Sequence, residues 1–127
     1  MSNNPNLLSP LSLAFVGDAV FTLEARKRIV LDKNRPVNDL HKQTVKYVSA
    51  ASQAQAIKKL MPVLTEEEEA VFRRGRNAHT SHTPKNQSEG DYHYATGLEA
   101  LFGYLYLTGA NDRITQLFDL IWSENIG

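Results

Sequence analysis

Two stretches of this sequence carry one carboxylate inside a run of apolar or small residues. In residues 13–20 (LAFVGDAV) the only charged residue is Asp18, and in residues 95–104 (ATGLEALFGY) it is Glu99. Burying an ionised carboxylate is costly unless a cation, a metal or hydrogen bonds compensate it. We therefore expect the fold to bring Asp18 and Glu99 together, where they would hold a divalent metal ion.

The plain alternative is that Asp18 and Glu99 are solvent-facing acids on two separate amphipathic helices. The residues taken alone favour this alternative, because single acidic residues on helices are usually just exposed. A decision for the metal site needs a further pattern in the sequence.

Both stretches are predicted to lie on helices. Ser9 followed by Pro10 is typical of a helix N-cap and first helical position, and the helix is predicted over about 11–31. Its apolar residues recur at the helical spacing of three to four, and they are Leu13, Val16, Val20 and Leu23. The second stretch falls within a helix predicted over about 91–108, which Gly109 is well placed to end.

The remaining helices are predicted from their caps and apolar periodicity. Asn38, Ser49 and Asp112 are interpreted as N-caps, and Thr65 begins a capping box with Glu68. These caps start helices over about 39–48, 49–60, 66–76 and 113–122. No segment alternates with a period of two, so we expect an all-α protein, with residues 1–127 forming a single domain of about six helices and residues 1–8 flexible.

Composition excludes several classes of function. The chain has 127 residues, with 14 basic and 14 acidic side chains, so its net charge does not indicate a nucleic-acid binder. It has no cysteine, which excludes disulfides, thiolate zinc sites and cysteine nucleophiles. The apolar runs are too short for a membrane span, and the N-terminus lacks the pattern of a secretory signal. We expect a cytoplasmic protein.

A polar loop is predicted at 77–88, between the fourth and fifth helices. Loops of this length are more often functional than plain connections. It contains His79 and His82, but no cysteine or third ligand at zinc spacing accompanies them. We interpret both histidines as loop residues that can donate hydrogen bonds to phosphates.

Five motifs in order resemble a known family. They are residues 15–20 (FVGDAV), 38–42 (NDLHK), 66–78 (EEEEAVFRRGRNA), 83–86 (TPKN) and 98–106 (LEALFGYLY). The sequence resembles the ribonuclease III catalytic domain, and more closely the compact branch of that family, Mini-ribonuclease III.

The resemblance implies a magnesium-dependent endonuclease for double-stranded RNA, an all-helical homodimer without an appended double-stranded-RNA-binding domain. It implies a role in maturing the precursor of large-subunit (23S) ribosomal RNA. Asp18 and Glu99 fall on two of the family's metal-binding carboxylate positions and are expected to be catalytic. Oxygen-only ligation makes manganese a plausible substitute for magnesium.

Two further acidic positions of typical ribonuclease III domains are not matched here. They are occupied by Ala14 and Thr96. Two acids suit one magnesium ion that keeps several water ligands. They argue against a tightly held two-metal centre, although RNA phosphate oxygens could complete one.

Basic residues beside the loop are predicted to bind RNA, because family motifs coincide there. The predicted RNA-binding residues are Arg73, Arg74, Arg76, Asn77 and Lys85. Contacts of this kind go to phosphates and weaken with salt. A second basic cluster at 26–35 is interpreted as an ordinary solvated helix face.

A homodimer is expected on symmetry grounds, because cutting both strands of a duplex needs two sites. The first helix carries more apolar surface than a small domain can easily bury, so we predict a self-paired interface on it. The residues concerned are Leu13, Phe15, Val16, Val20 and Phe21.

Two alternatives to the nuclease stay open. Ala14 and Thr96 motivate the first, a helical RNA-binding module that kept the fold but is weak or inactive in hydrolysis. The second is a helical protein-interaction domain with no RNA role, which predicts no salt-sensitive duplex binding.

Overall fold

The computed structural model describes residues 4–78 and 88–126, with side chains described as far as Trp122. Within these ranges every regular element is helical, which confirms the all-α prediction. None of the described helices is both long and apolar enough to cross a membrane. The six α-helices are α1 (Pro10–Asp32), α2 (Val37–Val48), α3 (Ala50–Leu60), α4 (Glu66–Arg76), α5 (Glu89–Leu107) and α6 (Asn111–Ile126).

Side-chain caps begin three of these helices as predicted. The Ser9 and Ser49 hydroxyls accept hydrogen bonds from backbone N–H groups three residues on, at 3.1 and 3.3 Å. Thr65 and Glu68 form the complete capping box, with reciprocal bonds of 3.1 and 3.0 Å. These bonds satisfy N–H groups that a helix start would leave unpaired.

Two predicted caps are wrong. α2 begins at Val37 directly after Pro36, so Asn38 lies inside the helix. Proline supplies a fixed φ at this boundary, and no side-chain cap bond is made. α6 begins at Asn111, so Asp112 lies in its first turn. An acidic side chain there still stabilises the helix by interacting with the positive end of its dipole.

The N-terminal stretch predicted to be flexible includes an ordered turn. Residues Pro5–Leu7 form a 3-10 turn, and the Asn4 side chain accepts a hydrogen bond from the Asn6 N–H at 3.0 Å. Residues 1–3 lie outside the described ranges.

Helix α5 is the centre of the fold. Every residue from Ala95 to Leu105 is buried except Glu99, which is partly buried. A helix that is apolar on all sides must be enclosed by other elements, and α1, α3, α4 and α6 all pack against α5. Phe21 of α1 meets Phe102 of α5 and Phe118 of α6 with ring centroids 5.2 and 5.1 Å apart.

The face that α1 turns to this core differs from the predicted stripe. Ala14 and Glu24 are buried. The other buried residues of α1 recur every four positions and are Leu13, Gly17, Phe21, Ala25 and Ile29. Leu23, predicted to be in the stripe, is 68% exposed, and Val16 and Val20 are only partly buried. The helix is apolar on most sides, so its periodicity did not identify the packed face. The close approach of Gly17 to α5 determines which face of α1 packs on the core.

Candidate active site

Helices α1 and α5 cross with their backbones in contact, and two glycines make this possible. A Cβ atom added to Gly17 would lie 1.6 Å from the carbonyl oxygen of Glu99. A Cβ atom added to Gly103 would lie 1.9 Å from the carbonyl oxygen of Leu13. Asp18 follows Gly17 in the chain, so this crossing brings Asp18 to the part of α5 that carries Glu99.

The carboxyl groups of Asp18 and Glu99 lie close enough together for Asp18 to affect proton binding by Glu99. Burial raises the pKa of the Glu99 carboxyl to about 8, and the charge of Asp18 and the hydrogen bond to it act in the same direction. Asp18 is exposed and Glu99 partly buried. Near neutral pH the pair therefore retains a proton. A bound cation could replace this proton and relieve the repulsion between the two carboxylates.

This pair fits a divalent cation that prefers oxygen ligands. The described residues contain no group of three or more acidic, histidine or cysteine side chains that could hold a metal. Ala14 and Thr96 are both buried at 7% exposure, and the Thr96 hydroxyl donates to the Tyr92 carbonyl at 2.9 Å. The protein would thus supply two carboxylates, leaving other positions for water and substrate oxygens, which magnesium accepts readily.

Gln53 adjoins the acidic pair and was missed as a site residue. It lies on α3, is 2% exposed, and its side chain interacts with the Glu99 carboxyl in the sense that lowers the pKa of Glu99. A signal was available in the sequence, because Gln53 occupies a core position in line with Ile57 and Leu60. A polar residue at such a position is expected to have a partner.

The end of α4 lies against the same part of α5. A Cβ atom on Gly75 would come within 2.7 Å of the Ala100 Cβ, and one on Gly97 within 2.6 Å of the Phe72 ring. The small residues allow close packing, which places the basic end of α4 beside the segment carrying Glu99. Arg74 at this end is exposed and makes no hydrogen bond or ion pair with another described residue.

Two aromatic rings hold further cations near the end of α4. The Arg76 guanidinium lies 5.7 Å from the Phe72 ring centre and 6.0 Å from that of Tyr94. The Lys58 ammonium lies 5.3 Å from the Tyr94 ring centre, a position within cation–π range. Lys58 comes from α3 and was not predicted, because its distance along the chain hides its nearness to Arg76.

The other predicted RNA-binding residues have different environments. Arg73 pairs with Glu69 one turn earlier. Asn77 ends α4 and accepts a hydrogen bond from Arg76 Nε at 3.2 Å. Lys85, His79 and His82 lie outside the described residues, as does most of the predicted loop.

The basic cluster at 26–35 is largely neutralised within the protein. Arg28 pairs with Glu24 at 3.2 Å and with Asp119 at 2.6 Å. Arg35 lies 3.5 Å from Asp32 and 3.3 Å from Asp39. These ion pairs agree with the interpretation of this cluster as a solvated helix face.

An apolar groove of about 780 Å³ begins beside Asp18 and runs along the outer face of α1. Phe15, Leu23 and Tyr106 line it and are 83%, 68% and 52% exposed. The predicted interface set needs correction, because Leu13 and Phe21 are 1% and 0% exposed within the core of their own chain.

Comparison with known proteins agrees with this arrangement of helices. The profile of the Ribonuclease III domain matches residues 11–110. The chain belongs to the ribonuclease III family. The resemblance found in the five motifs is thereby confirmed.

Relatives named Mini-ribonuclease 3 match over most of their length. One from Thermoanaerobacter sp. (strain X514) is 53% identical over 89% of this chain and 80% of its own. One from Symbiobacterium thermophilum is 45% identical over 90% of this chain and 88% of its own. A crystal structure of a Fusobacterium nucleatum protein superimposes with a TM-score of 0.86 at 31% identity, covering 98% of this chain and 99% of that one. Membership in the ribonuclease III family identifies the chain as an endoribonuclease of that type.

Proposed function

We propose that this endoribonuclease hydrolyses double-stranded RNA with magnesium bound by Asp18 and Glu99. The observation that carries the proposal is the closeness of these two carboxyl groups at the glycine crossing of α1 and α5. Family membership supports the class of reaction and its dependence on metal. Manganese is proposed as a substitute, because it accepts the same oxygen ligands.

The chain contributes two carboxylates to hydrolysis. Asp18 comes from α1 and Glu99 from the largely apolar helix α5. A bound magnesium ion would supply countercharge for the phosphate oxygens and acidify a water molecule. Asp18 is the exposed member and faces solvent, where RNA can approach. Glu99 is partly buried, and the low dielectric of its surroundings strengthens its field on a cation.

Removal of divalent cations tests this proposal directly. We expect the wild-type chain to cut a duplex RNA in the presence of magnesium, to stop when a chelator is in excess, and to recover when magnesium or manganese is restored. Gel analysis of end-labelled duplexes measures the cuts. RNA that stays intact with magnesium while still bound would instead support the inactive RNA-binding module.

Duplex RNA is proposed to bind across the end of α4. Arg74 makes no hydrogen bond or ion pair with another described residue, although its charge acts on Tyr104. Arg76 and Lys58 lie over the aromatic rings of Phe72 and Tyr94. The remaining proposed contacts are Arg73, Asn77 and Lys85. A-form RNA buries its base edges in a deep groove, so we expect phosphate and 2′-hydroxyl contacts with little reading of sequence.

Loss of charge at Arg74 is expected to weaken binding of any duplex to a similar extent. Arg74→Gln should reduce the magnitude of the slope of log affinity against log salt by about 1, the value for one phosphate contact. The double variant Arg74→Gln with Arg76→Gln should reduce it by about 2. Fluorescence anisotropy with two unrelated duplexes measures this. Arg26→Gln, from the other basic cluster, is the matched control and should leave the slope unchanged. An effect on one duplex alone would contradict the phosphate assignment.

The active form is proposed to be a two-fold homodimer that buries the groove on α1. Exposed large apolar side chains beside a site are typical of interaction surfaces, and a two-fold interface is self-complementary. Because the groove starts at Asp18, pairing would place the two acidic sites near one interface.

Phe15→Glu is expected to convert the dimer into a monomer at micromolar concentration, because it puts a charge in the apolar groove. Light scattering of the purified chain measures the mass. Leu31→Glu is the matched control, since Leu31 lies on the same helix, is 78% exposed and lies outside the groove. A wild-type chain that is monomeric would refute the dimer.

The natural substrate is proposed to be the precursor of large-subunit (23S) ribosomal RNA, processed in the cytoplasm. This substrate is what the resemblance to the Mini-ribonuclease III branch, carried by the five motifs, implies. Accumulation of unprocessed precursor in cells that carry only the Asp18→Asn form would test it.

A further inference from the structure

Gln53 is a buried amide in a position that should be apolar. The core-facing residues of α3 recur at helical spacing and are Ala50, Gln53, Ala54, Ile57 and Leu60. Gln53 is 2% exposed, and its Nε2 atom makes no hydrogen bond with any described residue. Leaving a buried amide unpaired costs about 1–3 kcal/mol, so selection for stability alone would favour leucine or methionine here.

The buried Gln53 amide lies between α3 and α5, close enough to Glu99 to affect its carboxyl group. Helix α3 packs on α5, and among the residues of α5 from Ala95 to Leu105 only Glu99 is charged. The Gln53 amide interacts with the Glu99 carboxyl and favours its charged form. An amide N–H directed at a carboxylate is the arrangement that such an interaction requires.

We propose that Gln53 is a positioning residue, whose Nε2–H group has no hydrogen-bond partner among the described residues and would donate to an oxygen of Glu99 when that carboxyl is charged beside a bound cation. This inference rests on the function proposed above. Groups that orient a metal ligand from behind typically change metal affinity or activity by roughly 10- to 100-fold when they are removed. Gln53 does not reach the RNA, because it lies on the buried face of α3 that packs against α5.

Gln53→Met removes the amide and keeps the length of the side chain. We expect it to weaken binding of Mn²⁺ alone, without RNA, by about 10-fold or more, measured from the electron paramagnetic resonance signal of the free ion. In cleavage assays kcat should fall by a similar factor while KM for the duplex stays unchanged. The melting temperature without metal should stay the same or rise, because an unpaired amide leaves the core.

Gln55→Met is the matched control. Gln55 lies two residues away on α3 and is exposed, so its replacement should change neither Mn²⁺ affinity nor kcat. If Gln53→Met does not fold, Gln53→Leu provides a second apolar variant of different shape for the same measurements.

The outcomes separate the two proposals. Normal Mn²⁺ affinity and kcat in a folded Gln53 variant would overturn the positioning role while leaving the nuclease intact. A lower melting temperature with unchanged Mn²⁺ affinity would also overturn it and make Gln53 a packing residue. If wild type fails to cleave any duplex, the proposed nuclease fails, and weaker Mn²⁺ binding by Gln53→Met would still support positioning.

Discussion

Replacing Asp18 with asparagine should lower the rate of duplex RNA cleavage by roughly a thousandfold, which is about 4 kcal/mol of transition-state stabilisation. Asparagine keeps the size of the side chain and one oxygen but removes the charge that would hold the cation. Glu99→Gln should have an effect of similar size. The double variant should be little worse than either, because two ligands of one ion act as a unit.

Single-turnover cleavage of a labelled duplex measures these rates, with Mn²⁺ binding as an independent readout. Asp112→Asn is the control, since Asp112 is an exposed acid in the first turn of α6. Without metal and above about pH 8, where Glu99 is charged, Asp18→Asn should melt no lower than wild type, because it relieves the repulsion between two adjacent carboxylates. Equal cleavage by wild type and Asp18→Asn would refute the assignment of the active site.

Gly103→Ala should destabilise the protein by about 3 kcal/mol or more, at the upper end of the usual cost of overpacking. The new methyl group would lie 1.9 Å from the backbone oxygen of Leu13, so a side-chain rotation cannot make room for it. The helices must separate, which also moves Asp18 away from Glu99. Activity should therefore fall even at a temperature where the variant is folded.

Gly90→Ala is a matched control on the same helix. A Cβ atom there meets nothing within 4 Å, so the substitution should be neutral or stabilising, because alanine favours helix over glycine. Urea unfolding of both variants gives the free energies of unfolding. A difference of less than about 1 kcal/mol between them would show that the crossing is not tight, since overpacking normally costs at least that.

The helices and the caps of three of them followed from local sequence, because capping bonds join residues only three apart. The partnership of Asp18 and Glu99 followed from the cost of burying lone acids, together with the family motifs. The packed face of α1 could not be predicted, since residues 13–23 are apolar on most sides. Which face packs on α5 depends on a backbone contact with Gly103. Gln53 and Lys58 were missed for a related reason. Their relevance comes from neighbours on α5 that are distant in sequence.

The enclosure of α5 links catalysis to the completeness of folding. Its apolar surface cannot remain in water, so the helix is stable only when α1, α3 and α4 already surround it. Glu99 meets Asp18 and Gln53 only in that assembled state, because each comes from a different helix. A partly unfolded chain would lack the proposed cation-binding pair, so we expect it to leave RNA uncut until folding is complete.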